Sequence, residues 1–298
     1  MLGWTATFMK SQLFTSVPYP TSDFSGQTVI ITGSNTGLGL EASKHIVRLG
    51  AAKVILAVRT VSKGEKAAQE IVQTCNVPES TVEVWQLDMS KHDSIVAFAK
   101  RSSHLPRLDA AILNAGILTY KFETHSGVES HIAVNVVGTL LLSTLLLPKM
   151  RLSAKATRLR GRLTIVGSDM MYIADLKELE TQGKILDKLN DPAQSDIGQR
   201  YGVSKVLVFY SLRELAARSP LTSDSDVILS VLTPGLCRSD IFRDDVSAAG
   251  KLAMTVGLAA FARTTEVGSR TLVHGISTQL PAEAHGKFLR DCRLAEYA

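Results

Sequence analysis

Short apolar runs alternate with longer amphipathic stretches along most of this chain. Runs rich in Val, Ile, Leu and Ala predict strands at Thr28–Thr32, Lys53–Val58, Val82–Leu87, Ala110–Asn114, Leu163–Val166 and Val227–Leu232, with a weaker one at Lys287–Leu289. Between them, helical spacing of apolar residues predicts helices near Leu38–Leu49, Ser62–Thr74, Ser90–Ser102, Gly127–Leu147, Tyr201–Ser219 and Glu266–Ile276. Continuously apolar strands separated by helices belong to a parallel sheet covered on both faces. Right-handed crossovers then wind the chain into a single doubly wound α/β domain around about seven parallel strands. Two stretches, Asp169–Arg200 and Leu236–Thr264, fit the alternation poorly. Ligands of such folds bind beyond the carboxyl ends of the strands, so both are expected on the substrate side. The expected division is an N-terminal arm, 1–26, and a catalytic domain, 27–298, with insertions near 169–200 and 236–264. In the arm, Trp4, Phe8 and Phe14 could share one face of a short helix, or the segment could simply pack on the domain.

Composition narrows the classes. With 298 residues, 45% hydrophobic and 20% charged, the chain can bury a large core unaided and is not disordered. The longest apolar stretch, Leu140–Leu147, is broken by Ser143 and Thr144 and falls short of the roughly 20 residues of a membrane span. A net charge of +5 is mild. The one basic cluster, from Lys149 to Arg162, lacks the interleaved aromatics that stack on bases, so it reads as a solvated connector and no nucleic-acid partner is expected. Cys75, Cys237 and Cys292 are odd in number and far apart, which fits a reducing compartment and a cytoplasmic location. The opening MLGWTATFMKSQLF lacks the uninterrupted apolar core of a secretory signal.

Three groups of residues carry candidate chemistry. The first predicted strand runs into Gly33, Ser34, Asn35, Thr36, Gly37, Leu38 and Gly39 and then into an amphipathic helix. Glycines there allow a tight turn and let a pyrophosphate approach the helix N-terminus, where N–H groups and the helix dipole favour negative charge. Where the second strand ends, an NAD enzyme would present an acid to the ribose. Here Val58 is followed by Arg59, with Lys63 nearby, and a guanidinium suits a ribose 2′-phosphate, so NADP(H) is the expected cofactor, a plain surface charge at Arg59 being the weaker alternative. Finally, Tyr201 and Lys205 lie four apart on one helix face, where an ammonium can favour a phenolate, and Ser168 closes the fifth strand, placed to bond a carbonyl. Each of these three is common in purely structural roles; their combination with the glycine loop points to catalysis.

Together with Asp88, Asn114-Ala115-Gly116, Asn135 and Pro234-Gly235 followed by Ser239, this ordered set resembles the short-chain dehydrogenase/reductase family from about Gln27 to Leu289. The resemblance implies a Rossmann fold in which Tyr201 is the general acid or base, Ser168 polarises the carbonyl, Lys205 lowers the Tyr201 pKa and holds the nicotinamide ribose, and Asn135 anchors a proton-relay water. It further implies Asp88 at the adenine, Asn114 at the adenosine ribose, Pro234 to Ser239 around the carboxamide, and a homodimer built on the helices of Asn135 and Tyr201. Ile185–Pro192 and Ala262–Glu266 are similar to fungal secondary-metabolism reductases and retinol-dehydrogenase-like members. The expected activity is reduction of a lipophilic, polyketide-type carbonyl, since Met170–Arg200 and Leu236–Phe261 are rich in apolar residues. Dehydration or isomerisation at the same site, or a cofactor-binding sensor, are the alternatives. One requirement follows from spacing: Ser168 precedes Tyr201 by 33 residues, so the insertion must fold away for them to meet. No hydrolase, triphosphatase or zinc-hydrolase motif is present, and His125 and His131 lack a third ligand at readable spacing, so no metal is expected.

Overall fold

The structure is a computed structural model and describes residues 2–180, 183–223, 226–238, 241 and 261–296. After helix α1 (Leu2–Phe14), strand and helix alternate: β1 (Thr28–Thr32), α2 (Gly37–Arg48), β2 (Lys53–Val58), α3 (Val61–Cys75), β3 (Val82–Gln86), α4 (His92–Ser103) and β4 (Ala110–Leu113). A two-residue hairpin, β5 (Thr124–His125) and β6 (Val128–Glu129), leads into a π-helical segment, Ile132–Gly138, continuous with α5 (Thr139–Thr157). Then come β7 (Gly161–Val166), α6 (Ile185–Leu189), α7 (Ile197–Ala217), β8 (Val227–Thr233), α8 (Thr265–His274), β9 (Lys287–Arg290) and β10 (Arg293–Ala295).

The main sheet has the order β10-β9-β8-β7-β4-β1-β2-β3, parallel throughout except for the β9–β10 hairpin at its edge. This is the doubly wound α/β architecture. Its strands are apolar on both faces because both faces are covered. On β1, Val29 and Ile31 join a cluster with Ile46, Ile71 and Leu272 of α2, α3 and α8, while Ile30 joins Phe98, Leu146 and Leu212 of α4, α5 and α7. From β1 the chain first winds outward through β2 and β3, then returns to place β4 on the other side of β1. The reversal opens a crevice at the carboxyl ends of β1 and β4, where Gly33 and Asn114 lie.

Several boundaries differ from the sequence reading, each for a physical reason. The predicted helix Gly127–Leu147 begins instead with the β5–β6 hairpin and the π-helical turn, and it continues through Pro148 to Thr157. A proline usually marks a stop, since it removes one N–H and crowds the preceding turn. Here packing of Met150 and Ala154 in the core carries the helix past it. The cluster Lys149–Arg162 is therefore not a connector: its first part is the last turns of α5, the chain reverses at left-handed Arg158 (φ 56°), and Arg162 is inside β7. The Arg162 guanidinium is buried, donating to the Ile276 and Arg160 carbonyls and to Gln27 Oε1, and burial pushes it down to about 10. Among the described residues one helix, Ile132–Thr157, is long and apolar enough to cross a membrane, but 61% of its most apolar window is buried inside the fold.

Candidate active site

The carboxyl edge of the sheet gathers most of the candidate residues. Gly33 and Gly37 take left-handed conformations (φ 64° and 60°), which favour glycine, and Gly33 N–H bonds the Ala57 carbonyl at 2.9 Å. At Gly39 the demand is closeness: a Cβ would stand 2.7 Å from the Gly33 oxygen and 2.8 Å from Asn114 Nδ2. The Ser34 hydroxyl bonds back to Ile31 O at 2.8 Å, and no side chain caps α2 at Thr36, so the α2 N-terminus opens onto the loop through Asn35 and Leu38. Asn114 Nδ2 holds the loop from the β4 side through Thr32 O (3.0 Å) and Gly33 O (3.2 Å), and Ala115 N–H donates to Thr32 Oγ1. The result is a glycine cradle at a helix N-terminus that fits a dinucleotide pyrophosphate.

At the neighbouring strand ends, Arg59 is exposed just past β2. The Asp88 carboxylate accepts from Ser90 N (3.0 Å) and Ser90 Oγ (2.7 Å). Partial burial would raise Asp88, but the Ser90 bonds, then Lys91 and Arg59, outweigh it and hold the carboxyl below its ordinary value.

Ser168, Tyr201, Lys205 and Asn135 converge on the other side of the crevice. The insertion does fold away: Gly202 on α7 packs where a Cβ would lie 3.0 Å from Ala174, and Ser168 lies close enough to the Tyr201 phenol to pull it down. Burial pushes Tyr201 up to about 12, against the smaller opposing pull of Ser168. Lys205 is buried, which pushes it down to about 8, and its ammonium donates to Val166 O at 2.8 Å, with Nζ 5.5 Å from the Tyr201 ring centroid. In this geometry the group acting on the phenol is Ser168, while Lys205 faces the ring. Asn135 sits in the π-helical segment, an irregularity frequent at functional sites. It clasps Ile117 in both directions (2.9 and 3.0 Å) and donates to Ser204 Oγ at 3.0 Å, and a Cβ on Gly116 would meet both Asn135 Oδ1 (3.2 Å) and Lys205 Nζ (3.6 Å).

Past β8, Pro234 is followed by left-handed Gly235 (φ 75°); Ser239 lies outside the described residues. Thr233 Oγ1 accepts from Gly235 N–H and donates to the Asp169 carboxylate, which Arg290 holds from the other side at 2.8 Å. Asp169 is raised by its burial, opposed by Arg290. A second buried network backs the Tyr201 side. Glu129, His131 and Arg200 are fully buried; Thr119 N–H points at His131 Nε2, so that nitrogen accepts and Nδ1 donates to Glu129 at 2.8 Å. Burial favours the neutral Glu129 acid, but the His131 bonds outweigh it and hold the carboxyl low. Arg200 reaches Glu129 (3.5 Å), Leu189 O and Ser195 Oγ (2.8 Å), fastening the insertion beside Tyr201. The sequence offered no local signal for Asp169–Arg290 or Glu129–Arg200, because partners 121 and 71 positions apart share no periodicity. Among the described residues no group of acidic, His or Cys side chains could hold a metal.

The comparisons with known proteins agree with this architecture. A short chain dehydrogenase family model matches residues 27–171. The chain is 42% identical over 295 residues to a short chain dehydrogenase/reductase, dmxR8, of Cryptosporiopsis sp. (strain 8999), covering 96% of this chain and 88% of that one. It is 40% identical over 298 residues to the short chain dehydrogenase atnD of Emericella nidulans, covering 99% and 93%. The protein belongs to the short-chain dehydrogenase/reductase family of oxidoreductases. Its fold matches the crystal structure of a 3-oxoacyl (acyl-carrier-protein) reductase from Agrobacterium tumefaciens C58 with NADP bound (TM-score 0.66, 19% identity, covering 90% and 93%). It also matches a short-chain dehydrogenase from Sphingobium yanoikuyae in complex with NADPH (TM-score 0.59, 19% identity, covering 82% and 81%).

Proposed function

We propose that the protein is an NADP(H)-dependent ketoreductase, or alcohol dehydrogenase in the reverse direction, acting on a lipophilic, polyketide-type carbonyl compound of secondary metabolism. One observation carries this reading: buried Lys205 lies over the Tyr201 ring while Ser168 acts on its phenol, at the same carboxyl edge of the sheet that carries the glycine cradle. A bound reduced nicotinamide cofactor is the source of hydride. Tyr201, kept protonated by burial, gives its proton to the carbonyl oxygen, and Ser168 donates a hydrogen bond to that same oxygen as charge develops. The Lys205 ammonium favours the phenolate left behind. Asn135 keeps Ile117 and Ser204 in register, and so holds the loop after β4 against α7.

On the cofactor, the glycine loop Gly33–Gly39 with Asn114, Ala115 and Gly116 takes the pyrophosphate and adenosine side, Asp88 the adenine, and Pro234, Gly235 and Ser239 the carboxamide. Tyr201 and Lys205 bind the nicotinamide ribose. NADP(H) rather than NAD(H) is supported by Arg59 standing where an acid would face the ribose, and by the NADP and NADPH bound to two structural neighbours. A lipophilic substrate is supported by the exposed Met170 and Ile173 beside Ser168. The same reading places the catalytic domain at 27–298, in the cytoplasm, as a homodimer through α5 and α7, where Leu145, Leu152 and Tyr210 are exposed.

The test is equilibrium binding of NADPH and NADH to wild type and Arg59→Asp. Loss of a charge-assisted contact to the 2′-phosphate should weaken NADPH about 10- to 100-fold, with NADH affinity kept. Equal loss for both, or a wild-type preference for NADH, would overturn the NADP(H) assignment.

A further inference from the structure

Helix α1 lies outside the alternating strands and helices, yet it reaches the segment just past β8. Gln12 is buried and its carboxamide makes three hydrogen bonds. Nε2 donates to Leu236 O (3.0 Å) and Phe261 O (2.9 Å), and Oε1 accepts from Leu236 N–H (3.1 Å). One side chain thus pairs both backbone groups of Leu236 as a neighbouring strand would, and ties that residue to Phe261. Arg263 completes the arrangement from below. It is buried, donating to Pro234 O (3.2 Å), to Ser11 O (2.7 Å) and to Asp291 Oδ1 (2.6 Å), while Ser11 Oγ donates to the same Asp291 oxygen. Gly235 is squeezed between them: a Cβ there would stand 2.3 Å from Gln12 Oε1 and 3.1 Å from Arg263. The backbone of Pro234–Leu236 is therefore set by α1 as much as by the sheet.

We infer that Gln12 is a positioning residue for the nicotinamide end of the cofactor, acting through Leu236 and Gly235; this rests on the cofactor reading above. Gln12 touches no part of the cofactor itself. It fixes the backbone that does, so its loss acts on the nicotinamide half and leaves the adenosine half, on the far side of the crevice, unaffected. The consequence is a split between whole cofactor and fragment that a merely structural role would not produce.

The experiment uses the full chain with Gln12→Ala and Gln12→Glu, the latter keeping size but turning an oxygen toward two carbonyls. Phe14→Ala, on the same helix and 82% exposed, is the control. Dissociation constants are measured for NADPH and NADH and for the fragments adenosine 2′,5′-bisphosphate and ADP, with the emission of the bound nicotinamide recorded and thermal midpoints taken for each variant. The expected result is whole-cofactor affinity lowered about tenfold in Gln12→Glu, in line with a buried polar group left unpaired. Bound-nicotinamide emission should move toward that of free cofactor, with fragment affinity and the Phe14→Ala control unchanged. Parallel loss of cofactor and fragment in both variants, or no loss in either, overturns the inference. A wild type that binds neither cofactor nor fragment overturns the cofactor reading itself, and this inference with it.

Discussion

Tyr201→Phe lowers turnover of a carbonyl substrate by about 10²- to 10⁴-fold, the range expected for a lost general acid, while the fold persists. The hydroxyl is the only part removed, and the ring keeps the edge contact with His131 (6.4 Å between centroids). Single-turnover measurement with saturating cofactor reads the chemical step directly, and wild-type rates in this variant would remove Tyr201 from the mechanism. Lys205 supplies a second check through pH. Burial holds it near 8 against an ordinary 10.5, so the ammonium proposed to favour the phenolate is lost as pH rises through about 8. Reductive kcat/KM should fall there. The Lys205 contribution to stability moves oppositely: between about 8 and 10.5 the unfolded chain binds the proton that the folded one has shed, so stability rises with pH. Lys205→Met isolates that contribution, and an activity limb near 8 that survives in it would assign the limb to another group.

The second large effect is on stability. Arg200→Leu leaves Glu129 fully buried with His131 as its remaining side-chain partner apart from Ser130, and strips donors from Leu189 O and Ser195 Oγ. Breaking a buried pair from one side costs about 3–5 kcal/mol. In a chain of 298 residues that is a fall of roughly 5–8 °C in the thermal midpoint. Because Arg200 ties Leu189 and Ser195 to the residue beside Tyr201, the insertion should also lose protection from proteolysis before the sheet does. Unchanged denaturant and thermal midpoints would mean that the insertion is held by its apolar contacts alone, Leu189 with Ile132 and Val203.

What could be read from the sequence was what is local in it. Strands β1 and β2 fall at the predicted residues because their runs of Val, Ile and Leu are short, apolar throughout and bounded by polar turns. The glycine loop and the Tyr201–Lys205 pair were equally legible, being set by spacing within one turn or one helix. The Ser168–Tyr201 contact was not, since it depends on how residues 169–200 fold. Buried arginines escaped for another reason: a charged residue is assigned to the surface unless its partner is visible, and the partners of Arg162, Arg200 and Arg263 lie 28 to 252 positions away, apart from the nearer Arg160, Leu189 and Ser195. The helix predicted to end near Leu147 runs on through Pro148, where core burial outweighs the local penalty. The β9–β10 hairpin had no turn signature, as it reverses through left-handed Asp291 and Cys292 (φ 50° and 59°) rather than through glycine.

The clamp on Leu236 also bears on how the chain matures. Gln12 bonds a residue 224 positions later and Ser11 one 280 positions later, so both side chains are synthesised long before these partners exist. Contacts of such separation close late, after the loop entropy between them has been overcome. Until then the segment past β8 lacks the brace that shapes it. Docking of α1 is thus expected late, and a refolding experiment checks it: on this account protection of the sheet amides precedes formation of the contacts that join the beginning and end of the fold at Arg263.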